Sequence, residues 1–196
     1  MYKKIFSWVL AVTFQPNRAW NIIASKEDRA EEKGVVYKDD PFFANYLYPL
    51  IGLVTLASFL SVFTHKEFVL ELALKNSIRT VVAYIGGFYL ASYYIRKLCL
   101  KFMNMDCKLR RWQHFIGYAS AYMYALTIIR MLIPDLFFLY VFVIYTLRIV
   151  WEGLPAFMKV EAKDRLNVTV VSTIFIIGFP ILVELLVEVM MPGLHV

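Results

Sequence analysis

Residues 168–190 read VTVVSTIFIIGFPILVELLVEVM, a run whose only charged side chains are Glu184 and Glu188. Coiled as an α-helix at ~1.5 Å per residue, it is long enough to cross the ~30 Å hydrocarbon core of a bilayer. Pro192-Gly193 then ends it. Working back towards the amino terminus, four more apolar blocks stand at residues 45–63, 77–95, 113–133 and 136–150. Only Pro134-Asp135 separates the last two, whereas polar connectors at 64–76, 96–112 and 151–167 separate the others. The expected fold is all-α: a polytopic bundle of five transmembrane helices over residues 44–196.

Composition agrees. Hydrophobic residues make up 60% of the 196 and charged residues 18%, with a mean hydropathy of +0.60. A soluble domain carries about 45–50% apolar and roughly 25% charged residues. A globule this small has too little interior to bury such blocks.

The net charge of +6 resides mostly in the connectors. That distribution favours anionic lipid headgroups as neighbours and excludes nucleic acid, whose footprint would be a basic stripe on one folded face. Placed on alternate sides of five spans, seventeen Lys and Arg residues fall with the amino terminus, the 96–112 and 151–167 connectors, and Arg148 at the end of the fourth span. Four fall opposite: Lys66, Lys75, Arg79 and Arg130. The positive-inside bias puts the amino terminus in the cytoplasm and His195 and Val196 outside.

Residues 1–43 form an expected cytoplasmic, interfacial segment. Two short apolar patches, 5–14 and 19–24, are split by Pro16 and carry Trp8 and Trp20. A broken amphipathic helix lying among headgroups, with both tryptophans as interfacial anchors, fits this pattern. The opening outlines a signal peptide, but Gln15-Pro16-Asn17-Arg18 offers no small-x-small cleavage site. Residues 25–40 are charged with both signs, and their expected place is in solvent. Asp39-Asp40-Pro41 reads as a polar boundary with a helix-starting proline.

Within the spans, small residues recur every fourth position: Ala83, Gly87 and Ala91 on the second, Gly117, Ala121 and Ala125 on the third. Such stripes let helices approach closely, and the simplest use is packing of these two spans on each other. A homo-oligomer contact is the other use. Charge within a span is costly and marks candidate sites. Glu184 and Glu188 share a face one turn beyond Pro180, and five-span topology puts Arg79 and Arg130 at the same outer level. An intramembrane cluster of Glu184, Glu188, Arg79 and Arg130 is therefore expected. Arg148, near Glu152, reads as a snorkelling residue.

Chemistry is sparse. Cys99 and Cys107 form no CxxC, and His65, His114 and His195 are scattered, so no four-ligand zinc set can be drawn. No cofactor or metal is expected. HExxH, GxSxG, the phosphate loop and the dinucleotide fingerprint do not occur.

Three stretches carry a family resemblance: Gln15-Pro-Asn-Arg-Ala-Trp-Asn-Ile-Ile-Ala24, Asn45-Tyr-Leu-Tyr-Pro-Leu50, and Tyr145–Leu154 followed by Phe157-Met-Lys-Val160 and Arg165–Ser172. In these the chain resembles the Yip family of membrane proteins, named for interaction with Ypt/Rab GTPases, and in particular its bacterial branch. The resemblance implies an all-helical, five-span protein with a cytoplasmic amino terminus and no catalytic residues. Eukaryotic members bind partners in vesicle traffic. This chain lacks the Asp-Leu-Tyr-Gly-Pro stretch those members carry, so Rab binding does not transfer. The expected role is non-enzymatic: organising membrane proteins or lipids in a bacterial inner membrane. A small ion- or proton-coupled transporter using Glu184 and Glu188 is the alternative, and a lipid-modifying membrane enzyme the third.

Overall fold

The computed structural model describes residues 2–32, 40–64, 69–103 and 107–190. Asp39, His65, His195 and Val196 lie outside the described residues. Those described are helical, with no strand among them: α1 (Tyr2–Phe14), α2 (Pro16–Glu32), α3 (Phe43–Ser61), α4 (Leu70–Met103), α5 (Leu109–Leu132), α6 (Pro134–Met158) and α7 (Ala162–Met190).

Four of them, α3, α5, α6 and α7, are long and apolar enough to cross a membrane. The expected second span lies inside α4, whose 34 residues exceed the length a crossing needs. Its glycines, tyrosines and charged ends dilute its apolar character. Even so, α4 makes the most extensive helix contact in the molecule, along α7. The centre of the bundle is α5: 56% of its apolar stretch is buried, against 28% for α6 and for α7. Large apolar side chains such as Leu56, Val82, Phe137, Val141, Leu185 and Val189 face outward, as lipid-facing positions should.

The start of α3 shows why a short polar motif suffices as a boundary. The Asp40 carboxylate accepts the Phe42 N–H at 3.0 Å, and its carbonyl accepts that of Phe43 at 3.1 Å. Pro41, the first helical residue, has no N–H needing a partner. The helix opens with one π turn, Phe43–Leu47. At the break between α1 and α2, Gln15 links the two helices: its N–H bonds the Ala11 carbonyl and its own carbonyl accepts Ala19 N–H.

The expected connector 151–167 shrinks to residues 159–161. Lys159 takes a left-handed conformation, φ 57°, and the N–H groups of Lys159 and Val160 both turn back to the Leu154 carbonyl, a closure of the Schellman kind. Arg165 then ties the two helices. Its Nε and Nη2 donate to the Trp151 carbonyl at 3.1 and 2.8 Å, and its guanidinium lies 4.1 Å from the Trp151 ring centre.

Small residues do permit close approach, but neither stripe's glycine faces the other stripe. A Cβ built on Gly87 would fall 2.6 Å from the Pro180 nitrogen, so Gly87 receives α7. One built on Gly117 would fall 2.4 Å from Phe42, just before α3. Between α4 and α5 stand larger side chains: Tyr84 meets Tyr124 edge-on at 5.0 Å and donates to Thr127 at 3.0 Å. Ala83, Ala91 and Ala121 are buried and Ala125 is partly buried.

Candidate functional site

The starts of α3 and α5 and the end of α6 meet at one end of the bundle, and α2 lies across them. Its acidic residues Glu27, Asp28 and Glu31, at helical spacings of one, three and four, face Arg110, Arg111 and His114, spaced likewise on α5. Arg111 is 9% exposed. Its Nη1 donates to Glu31 and its Nη2 to Asp28, both at 2.9 Å, its Nε donates to the Phe157 carbonyl at 3.0 Å, and it stacks on the Phe157 ring. One guanidinium thus joins α2, α5 and α6.

His114, 4% exposed, has Nδ1 3.0 Å from Glu27 and Nε2 2.7 Å from Asp40. An imidazolium, which donates from both nitrogens, satisfies both carboxylates. Arg110 Nε lies 2.6 Å from the same Asp40 oxygen, and its Nη2 lies 3.6 Å from Glu27. At the rim, Lys108 reaches Glu31 at 3.9 Å and Lys159 reaches Asp28 at 3.1 Å. Four carboxylates therefore face four fixed cations, with His114 in their midst. For Glu27, burial raises the carboxyl's pKa, but the His114 hydrogen bond and the charges of His114 and Arg110 outweigh it, leaving the carboxyl below its ordinary range. Asp40 is lowered against its burial by the Phe42 N–H, His114 and Arg110. Lys159 and Arg111 lower Asp28 in the same way, also against burial.

Beside this network lies a cavity of about 580 Å³ between α1, α2, α5 and the start of α3. Glu27, Asp40, His114 and Arg110 line it together with Lys26 and the aromatic residues Trp8, Phe42, Tyr46 and Tyr118.

Of the stretch 25–40 expected in solvent, Ser25, Lys26, Arg29, Glu31 and Glu32 are exposed and residues 33–39 lie outside the described residues, but α2 continues to Glu32 and the Glu27 and Asp40 side chains are only 12% and 11% exposed. A signal was present in Glu27-Asp28 with Glu31 and in Arg110-Arg111 with His114, two helical patches of opposite sign. Their meeting depends on how α2 folds back, which neither patch states. Both tryptophans also take protein neighbours. Trp20, expected at the headgroup level, is fully enclosed. Its indole N–H donates to the Ile149 carbonyl at 3.0 Å, and its ring lies against Phe115 and Phe157. Trp8 is half-buried against Tyr118.

At the opposite end, Arg79 Nε lies 3.5 Å from Glu184 and its Nη1 4.0 Å from Glu188. Arg130 does not join them. It is exposed and stands 5.0 Å over the Tyr140 ring, because α6 turns back directly after Pro134 and brings that ring beneath it. Arg148 lies over Tyr145.

Among curated proteins and solved structures, none matches the chain. The family model of the Yip1 domain matches residues 11–183, from within α1 through most of α7. That match takes in the folded-back α2, its partners on α5 and the bundle together, and the chain belongs to the Yip1 domain family.

Proposed function

We propose that this is a non-catalytic, multi-pass Yip-family protein that organises membrane proteins or lipids through its amino-terminal head. In this reading the chain crosses a bacterial inner membrane five times, α4 included. The Glu27–His114–Asp40 end faces the cytoplasm and the carboxyl terminus lies outside. The Lys and Arg distribution supports that orientation.

One observation carries the role. α1 is apolar on two faces. Ile5, Val9 and Val12 are buried inward, whereas Tyr2, Phe6, Leu10 and Phe14 recur every fourth residue on the outside, Phe6 65% and Phe14 76% exposed. The inner face holds α1 on α5. None of the described residues covers the outer face, which suits the headgroup–acyl boundary or an apolar partner docked there. The ion-paired α2 keeps that face rigidly presented.

Substituting Phe6→Asp and Phe14→Asp together alters only the outer face. Pull-down from native membranes in lipid nanodiscs, with mass spectrometry of bound proteins and lipids, is the test. The parent should retain a reproducible partner or lipid that the double variant loses. An identical set on both would remove the proposal. For the transport reading, Arg79 already supplies a counter-charge to Glu184 and Glu188, which supports a clip between α4 and α7. Proteoliposomes with an ion flux abolished by Glu184→Gln would reverse that judgement.

A further inference from the structure

The turn between α1 and α2 lies at mid-depth in the bundle. Following α5 from its charged end, Arg111 and His114 meet Asp28, Glu31 and Glu27 of α2. Phe115 then meets Trp20, and Tyr118 meets both Trp20 and Trp8. Further along, Tyr122 lies against Tyr145 of α6, ring centres 5.3 Å apart, and the Tyr145 hydroxyl donates to the Thr13 carbonyl at 3.0 Å. Thus α1 runs with α5 and α2 runs back against it, with the turn at Gln15-Pro16 farthest from the ion pairs. Tyr122 is fourteenth of the 24 residues of α5 and Tyr145 twelfth of the 25 of α6. Both stand near the middle of helices long and apolar enough to cross a membrane.

The length of α3 sets where hydrocarbon begins. Asp40, held by Arg110 and His114, stands just before that helix. The 19 residues of α3 reach ~28 Å at ~1.5 Å each. They cross a ~30 Å core only if the core starts at the level of the ion pairs. Along α5, the step from Arg111 to Tyr122 is ~16 Å, about half that thickness.

The hairpin's composition suits such depth. Between Ile5 and Ser25 the only charged residue is Arg18. Tyr2, Phe6, Leu10 and Phe14 are exposed along α1, and Val141, Phe142 and Ile144 are exposed around Tyr145. The far end of α1 therefore stands beside a stretch of bundle that is itself apolar and outward-facing. On α2, Asn21 Nδ2 donates to Asn17 Oδ1 at 2.9 Å, so these amides partly satisfy each other. Arg18, exposed just past the turn, has a long stem on which its guanidinium reaches back towards phosphate, helped by local thinning of the leaflet.

We propose that α1 and α2 form a re-entrant hairpin set into one leaflet, whose acyl chains cover Phe6, Leu10 and Phe14. The proposal rests on the membrane-organising reading above, deepens it by naming what covers the outer face, and takes from it that the leaflet is the cytoplasmic one. A helix lying flat among headgroups holds the three side chains at one depth. A re-entrant helix holds Phe14 up to ~12 Å deeper than Phe6.

The experiment uses the full-length protein in liposomes of phosphatidylethanolamine and phosphatidylglycerol, in a Cys107→Ser background, Cys99 being buried. A nitroxide is attached at one site at a time: Phe6→Cys, Leu10→Cys and Phe14→Cys on α1, and Ile22→Cys, Ser25→Cys and Arg29→Cys on α2. All six side chains are exposed, so labelling leaves the core untouched. Depth is read from collision with oxygen, which concentrates in hydrocarbon, relative to a water-soluble nickel chelate.

The oxygen-to-nickel ratio should rise from Phe6 through Leu10 to Phe14 and fall from Ile22 through Ser25 to Arg29. Equal ratios along α1 would overturn the hairpin in favour of a flat interfacial helix. Low collision with both reagents at Phe14 would overturn it by placing a protein over that face, and frequent nickel collision there by placing the face in water. After any of these results, a partner set lost on Phe6→Asp/Phe14→Asp would still uphold the organising role, so the two failures are distinguishable.

Discussion

Gly153 on α6 lies so close to Trp20 on α2 that a Cβ built on it would sit 2.5 Å from the indole Cε2 and 2.8 Å from a Phe115 ring carbon. The head is locked to the bundle at this point. Trp20 fills the space that the missing side chain leaves, and its N–H reaches the Ile149 carbonyl one turn earlier. Gly153→Ala should therefore destabilise, by about 1–3 kcal/mol, as overpacking of a filled core does. Trp20→Ala should cost about 3–5 kcal/mol, the range for a large buried aromatic. Thermal unfolding in detergent, with hydrogen exchange on α2, measures both.

Arg111 makes its bonds to Glu31, Asp28 and Phe157 through a planar fork, a geometry a lysine ammonium does not reproduce. Arg111→Lys should cost about 1–3 kcal/mol, kept below the value for a fully buried pair because Asp28 and Glu31 are partly solvated. Hydrogen exchange should quicken along α2 and stay unchanged on α7. Equal exchange on α2 in both proteins would show that Arg111 does not hold the head.

Glu27 and Asp40 have carboxyls held below their ordinary values of 4.5 and 3.8. A lowered folded value means the unfolded chain binds protons more readily. The stabilisation is complete above the ordinary value and is lost as pH falls through the lowered one. The thermal midpoint should be level from about pH 7 to about pH 5 and decline below about pH 4, more shallowly in Glu27→Gln. A midpoint falling already between pH 7 and pH 5 would assign the dependence to other groups.

Gly87 and Gly52 make opposite predictions for one substitution. At Gly87 the added methyl would meet the Pro180 nitrogen and Cα at 2.6 and 2.7 Å, and at Gly52 it meets nothing within 4 Å. Backbone atoms of a helix proline cannot move aside, so Gly87→Ala should destabilise by about 1–3 kcal/mol. Gly52→Ala, within a helix and in open space, should be neutral or stabilise by up to about 1 kcal/mol. Thermal midpoints of the two variants decide it.

How much is legible in the residues follows from the range of each signal. Hydrophobic run length is local, so the blocks at 45–63, 113–133, 136–150 and 168–190 each reappear within a helix long and apolar enough to cross a membrane. The block at 77–95 sits inside α4, less apolar than its neighbours. Helix ends are less legible. Residues 151–158 look polar enough for a connector, yet the Lys159 turn and the Arg165–Trp151 contact let α6 continue to Met158. The stripes announce close packing without saying on what, since an Ala-xxx-Gly-xxx-Ala face is equally open to any helix. Pro180 occupies the place opposite Gly87 only because α7 lies along α4.

What the sequence by itself determined is an all-helical membrane protein: length, apolarity and the break at Pro16 are properties of contiguous residues, and lipid rewards them wherever the helices lie. Tertiary structure alone decided that Glu27, Asp40 and His114 meet beside a cavity, that Trp20 is core, and that Arg130 stands over Tyr140 while Arg79 pairs with Glu184. Those outcomes depend on contacts between residues up to 129 positions apart. A charged or aromatic side chain has similar local preferences beside water, lipid or protein, and only the fold-back of α2 onto α5 and α6 selects among them.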